Sequence, residues 1–373
     1  MFLDAATVAP PHPVARQVLL AALDEGWADP RRLHHEGRRA RQLLDGAREA
    51  IAAVFGARTE EITFTASHTA AVHAGILGVL RARRRVGTRV VTSAVEHSAV
   101  LQASSFDQAE PVRVTVDHDG VLNLPAFGAA VSAPGTALAC LQSANGELGT
   151  LQPVAEAAAL SAPVHVPLLV DHATAAGHSP TPPGWQLLTA DPRSWGGPGG
   201  LGVLAIRAGT PWLSPAPEHE GTEQLPGDVP VPQALAAAAC LQAVSAEQEH
   251  LDEVRRELVD RIRHAIAAIP DTEVFGPVHA RLPHVATFSC LYLDGETLVR
   301  ELDALGFAVG SGSACTTAAG EPSHVLAAIG ALTHGNVRIG LPTQVDPAGV
   351  NAFCAALPGL VRRIREQLGV DEL

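Results

Sequence analysis

Residues 137–153 read Ala137-Leu-Ala-Cys-Leu141, Gln142-Ser143, then Ala144-Asn-Gly-Glu-Leu-Gly-Thr-Leu-Gln-Pro153. An apolar run of strand length, followed at once by a polar, glycine-bearing cluster, is what a buried strand looks like when its carboxyl end opens onto a ligand crevice. The pattern recurs on both sides. Glu61-Ile-Thr-Phe-Thr65 leads into Ser67-His-Thr69, Arg89-Val-Val-Thr92 precedes Glu96-His97, and Leu168-Leu-Val170 ends on Asp171. Val112–Val116 and Val203–Ile206 read as further strands. Amphipathic segments at Val14–Leu23, Arg38–Val54 and about Thr69–Arg81 alternate with them. Short strands alternating with helices predict an α/β domain with a largely parallel sheet.

Beyond a Pro/Gly-rich excursion from Trp212 to Pro232, a long helix is expected from about Pro232 to His264. It leads to a strand at Val285–Leu293, a helix at Glu296–Leu305, the loop Gly310-Ser-Gly-Ser-Ala-Cys315 and a terminal helix at Pro347–Leu368. This pattern predicts a smaller α+β unit. The expected division is residues 13–250 for the large domain and 251–373, with 1–12, for the small one.

The bulk chemistry narrows the function. The 373 residues carry a net charge of −13, which disfavours a phosphate backbone as partner, so no nucleic acid is expected. The Arg81–Arg85 and Arg38–Arg41 clusters lie in helical runs and read as solvated faces. Five cysteines show no CxxC pairing, which argues against a disulfide framework or a cysteine-zinc site. Seventeen histidines form no HExxH, and no metal site is expected. Gly196–Gly200 lacks the Lys-Ser/Thr of a P-loop. No leader-type segment and no apolar run of membrane-spanning length is seen, so the expected location is the cytoplasm and no membrane is expected as partner.

The polar clusters, in order, resemble the cysteine desulfurases of the class V aminotransferase family. Ile62-Thr-Phe-Thr-Ala-Ser-His-Thr69 is similar to that family's FTSGxTE, Glu96-His97 to its EH, and Ala144–Pro153 to ANNEIGTxQP. Gly310–Cys315 is similar to its SSGSAC loop and Asn336-Val-Arg338 to its arginine motif, while LDAAT near residue 5 and the 33–41 helix also correspond. The resemblance implies a fold-type-I pyridoxal phosphate (PLP) transferase: a large domain with a mostly parallel seven-stranded sheet plus a smaller α+β C-terminal domain. It implies Thr69 on the cofactor phosphate, His97 stacked on the ring, Asn145 nearby and Asp171 on the pyridine nitrogen. It implies Arg338 on a substrate carboxylate and Cys315 as a persulfide-forming thiol. A buried aspartate would keep the pyridine protonated, and an arginine would hold a carboxylate bidentately.

The chain departs from the pattern at the anchoring lysine. The family's SxHKxxGP is Asp191-Pro-Arg-Ser-Trp-Gly-Gly-Pro198 here, with Ser194 at the lysine position and Arg193 at the preceding histidine. All 26 Lys+Arg residues are arginine, so the chain contains no lysine at all. Thr174 stands where the family has a glutamine, Gly146 replaces an asparagine, and Asp228 falls loosely where the family's threonine reaches the neighbouring subunit's phosphate. Asp191 and Asp228 would thus set carboxylates near a dianion, at roughly 4 kcal/mol for a like-charge pair ~4 Å apart. Arg193 is a candidate to offset this by pairing with the phosphate.

These substitutions imply PLP held without a covalent bond, or no cofactor. They leave three functional readings: a non-catalytic homologue or sulfur carrier using Cys315, an active enzyme with non-covalent PLP and His97 as acid–base group, or a regulatory partner of an active paralogue. The expected partners are a second copy of the chain and a small amino-acid-like ligand or a sulfur-acceptor protein.

Overall fold

The computed structural model describes residues 1–217, 224–311 and 323–370. In chain order the elements are α1 (Pro13–Glu25), α2 (His35–Phe55), β1 (Ile62–Thr65), α3 (His68–Arg83), β2 (Arg89–Ser93), α4 (Ser98–Ala103), β3 (Glu110–Val114), α5 (Leu124–Val131), β4 (Thr136–Gln142) and α6 (Val154–Ser161). They continue with β5 (Leu168–Asp171), β6 (Leu187–Ala190), β7 (Gly202–Ile206), α7 (Val231–Ala267), β8 (Thr272–Phe275), β9 (Val285–Cys290), α8 (Gly295–Ala304), α9 (His324–Ala328), β10 (Asn336–Gly340) and α10 (Pro347–Leu368).

Seven strands form one sheet in the order β1-β7-β6-β5-β4-β2-β3. The β3–β2, β2–β4, β4–β5 and β5–β6 pairs are parallel, while β7 runs antiparallel to both β6 and β1. β4 is buried at every position, which explains its unbroken apolar sequence: a central strand with both faces covered has no solvent side to show as alternation. The expected strands and long helices are present. The sequence reading missed β6, β8 and β10, each four or five residues long.

Three of these strands, β10-β9-β8, form a second, antiparallel sheet. α7 joins the two regions. Its 37 residues span about 55 Å at 1.5 Å per residue. Val231 to Val244 pack into the core beside the large sheet, and Leu258 to Ile266 pack into the core around the small one. The N-terminal segment lies with the small sheet, since Leu3 joins that core and Asp4 bridges Gly340. Cys140, Cys240 and Cys290 are buried, while Cys354 is half-buried.

Local chemistry sets the element ends. Asp294 caps α8, its carboxylate accepting from Thr297 N–H at 2.8 Å and from the Thr297 hydroxyl at 2.9 Å. Asp294→Ala is expected to cost about 1 kcal/mol, read as a lower denaturant midpoint at unchanged slope.

Candidate functional site

The strand ends converge on a cleft of about 340 Å³. Of the described residues that the sequence singled out, Thr69, His97, Asn145, Asp171, Thr174, Arg193, Ser194 and Arg338 line it, and Asp228 does not. Cys315 lies outside the described residues. A wider groove of about 810 Å³ runs along α7, walled by carboxylates such as Glu249, Asp252 and Glu253. No strand end of the large sheet reaches that groove, so the chemistry belongs to the smaller cleft.

Thr69 lies in the first turn of α3, whose entry is capped by Ser67 Oγ accepting from Ala70 N–H at 3.1 Å. The turn is close-packed: a Cβ on Gly202 would sit 2.2 Å from Ser67 O. Asn145 is largely consumed by its own loop. Its Oδ1 accepts from the Glu147 and Leu148 amides at 2.9 and 2.8 Å, and its amide donates to Val95 O at 3.0 Å.

Asp171 ends β5 and is 5 % exposed. Its Oδ1 accepts three donors: His68 Nε2–H at 2.8 Å, the Thr189 hydroxyl at 3.1 Å and Ala173 N–H at 3.1 Å. Burial works against the carboxylate, but the His68 imidazolium outweighs it and holds the carboxyl down at about 2. His68 shows the reciprocal effect. Burial pulls the imidazole down, Asp171 outweighs it, and the net shift is upward. With the imidazole protonated, which its raised pKa favours, the two side chains form a buried ion pair. His68 was passed over in the sequence because it falls on the unspecified x of FTSGxTE. The available signal was an imidazole in the first turn of a helix that follows a strand.

His97 stands edge-on to His68, with ring centroids 5.3 Å apart. Its Nδ1 accepts from Ala99 N–H at 3.2 Å to cap α4. That assigns the proton to Nε2 in the neutral ring. The ring is exposed at the cleft, and partial desolvation by the surrounding protein lowers its affinity for a second proton. Ligand atoms of His68, His97 and Asp171 come within 4.8 Å of one another, a grouping that sequence spacing did not announce. His68 Nε2 is spent on Asp171 and His97 Nδ1 on the helix cap, so the trio works here as an ion pair beside a neutral ring.

Glu96 is fully buried at the back of the cleft. Burial pushes its carboxyl up to about 8, although Ser93 Oγ donates to it at 2.5 Å and Gln142 N–H at 2.9 Å. Glu147 is likewise pushed up by burial and accepts from Ser323 Oγ at 2.8 Å. The sequence quoted both residues inside motifs without giving either a role.

The segment at the lysine position folds as a short 3-10 turn, Pro192–Trp195, closed by Gly196 at φ +84°. Ser194 is 2 % exposed, and its hydroxyl donates to Asp191 O at 2.9 Å. Its own carbonyl accepts from His178 Nε2 at 2.9 Å. Trp195 behind it is fully buried, with its indole N–H on Ala237 O at 3.0 Å. Arg193, expected to offset a phosphate's charge, is engaged here with its neighbour: Nη2 pairs with Asp191 at 2.7 Å, Nε also donates to that carboxylate, and Arg193 N–H donates to Asp191 Oδ1. Adjacent residues satisfy each other before any ligand enters. Asp228, expected at the phosphate of a neighbouring subunit, pairs within the chain with Arg31 at 2.8 Å on an exposed surface. Arg338 is buried on the opposite wall, with Nη2 at 3.2 Å from Asp4.

The covalent form of PLP does not fit these residues. The position of the anchoring amine holds a buried hydroxyl engaged with the backbone, and an alcohol forms no Schiff base with an aldehyde. The adjoining polar pair, Asp191 with Arg193, is internally neutralised.

Comparison with known proteins agrees with the architecture. The family described as "Aminotransferase class-V" matches residues 1–353. A cysteine desulfurase of Cereibacter sphaeroides is 33 % identical, over 97 % of this chain and 96 % of its own length. An "IscS-like cysteine desulfurase" of Mycobacterium tuberculosis is 32 % identical, over 98 % and 97 %. A solved structure titled "NIFS-LIKE PROTEIN" superposes with a TM-score of 0.89 at 22 % identity, over 97 % of this chain and 99 % of that one. The α/β architecture with its mostly parallel seven-stranded sheet is that of the fold-type-I PLP-transferases. The chain belongs to the class-V aminotransferase family, as a homologue of the cysteine desulfurases.

Proposed function

We propose that the chain is a desulfurase homologue with a degenerate cofactor site, which binds a small amino-acid-like carboxylate in its cleft without forming an aldimine. The observation that carries this is Ser194, buried and hydrogen-bonded to Asp191 O at the lysine position, in a chain with no lysine. The remaining groups suit a carboxylate ligand. His97 Nε2–H, Arg338 and the first turn of α3 supply donors and positive potential from three sides of one cleft. Arg338 shares its charge with Asp4, which favours a modest, exchangeable affinity. In this reading the chain works as a homodimer in the cytoplasm, and Cys315 is the candidate thiol for carrying sulfur to an acceptor protein.

The test is an absorbance titration of the purified protein with PLP, with and without L-cysteine. We expect no visible aldimine band and no sulfide release. A stable coloured complex that turns over cysteine would overturn the proposal. It would favour a second reading, an active enzyme with non-covalent PLP and His97 as acid–base group. That reading draws support from the full-length alignment to relatives named cysteine desulfurases.

A further inference from the structure

We propose that His68 is the residue that sets what the cleft rejects: its side chain occupies Asp171 as an internal cation, closing the site to pyridinium-type ligands independently of the missing amine at position 194. This deepens the reading of an aldimine-free cleft and rests on it.

The case starts from charge. Asp171 is the buried carboxylate at the end of β5, and a cationic ring nitrogen entering this cleft would need such an uncompensated anion. The anion is already compensated. His68 Nε2–H, the Thr189 hydroxyl and Ala173 N–H all converge on one oxygen. The other carboxylates of the cleft are poor substitutes. Asp191 is held by Arg193 at 2.7 Å, Glu96 takes hydrogen bonds from Ser93 and Gln142, and Glu147, with Oε2 on Ser323 and Oε1 unpartnered, is pushed by burial toward its neutral form.

The imidazole lies 5.3 Å from His97, centroid to centroid, with the two ring planes at 65°. An entering ring cation would have to break a pair whose two side chains are 7 % and 5 % exposed. Breaking it would leave one of the two charges buried and unpaired.

The consequence is that restoring the amine alone does not restore the cofactor. Two variants decide this, Ser194→Lys and Ser194→Lys with His68→Ala. Because the native chain has no lysine, the new amine is the only ε-amine available, and borohydride reduction followed by peptide mass analysis reads its adduct without ambiguity. With PLP as probe, the double variant is expected to load about tenfold or more tightly than the single one, a difference of about 1.4 kcal/mol or more. Equal loading of the two overturns the inference.

A measurement on the native chain guards against misfolding of the double variant. The N–H proton that His68 donates to Asp171 is expected as a downfield NMR signal, unchanged by added PLP. Its absence, or its loss when PLP is added, overturns the inference. The outcomes separate the two claims. A coloured native protein defeats the proposed function, whereas a colourless native protein with a fully loading Ser194→Lys variant defeats only the role of His68.

Discussion

Asp171→Ala is expected to destabilise the protein by about 3–5 kcal/mol at pH 6, the usual cost of removing one partner from a buried ion pair. The substitution strands three donors at once: the His68 imidazolium, the Thr189 hydroxyl and the Ala173 amide. For a protein stable by 5–15 kcal/mol this is a large fraction of the total. The deficit carries a pH signature. The His68 pKa is raised in the folded protein, so the pair's contribution is fully present below the unfolded histidine value and is lost as pH rises through the raised one. The variant's deficit therefore shrinks toward alkaline pH. Urea titrations of both proteins at several pH values measure it. A deficit that is small at pH 6, or that grows with pH, would mean that His68 and Asp171 are not an ion pair.

Glu96→Gln is expected to gain on the native protein in the same direction of pH, through a buried acid instead of an ion pair. The Glu96 carboxyl is fully buried and pushed up to about 8 by that burial. An acid whose folded pKa lies above its unfolded value contributes most below the unfolded value, and that contribution is lost as pH rises toward the folded one. The window therefore runs from about pH 4.5 to pH 8. Glutamine has nearly the same shape, accepts the Gln142 amide and does not ionise. The stability of the variant relative to the native protein should rise by about 3 kcal/mol between pH 5 and pH 8. The buried neutral histidines His172, His178 and His284 titrate in both proteins and cancel in the difference. A pH-independent difference would place the Glu96 carboxyl near its ordinary value.

Much of the site was legible because its residues sit at strand ends, where sequence order and spatial order agree. β4 with Asn145, β5 with Asp171 and β2 with His97 each carry their polar group just past an apolar run, and a parallel sheet gathers such ends on one edge. What was not legible is how side chains choose one another once gathered. Arg193 was read as a ligand for phosphate, yet the nearest anion is Asp191, two residues away on the same turn. His68 was quoted without a role because nothing local marks its partner, which lies 103 residues further along the chain.

The amino-acid sequence alone determined two things. Alternating strands and helices with polar strand ends require a doubly covered parallel sheet, because only that arrangement buries such unbroken apolar strands. The absence of every lysine forbids a Schiff base on an ε-amine in any fold, because the functional group is missing from the covalent structure. Only the tertiary structure decided the electrostatics of the cleft. Whether Asp171 waits for a ligand or is already paired depends on a 2.8 Å contact between α3 and β5, and distance in folded space, not position in the chain, sets that energy.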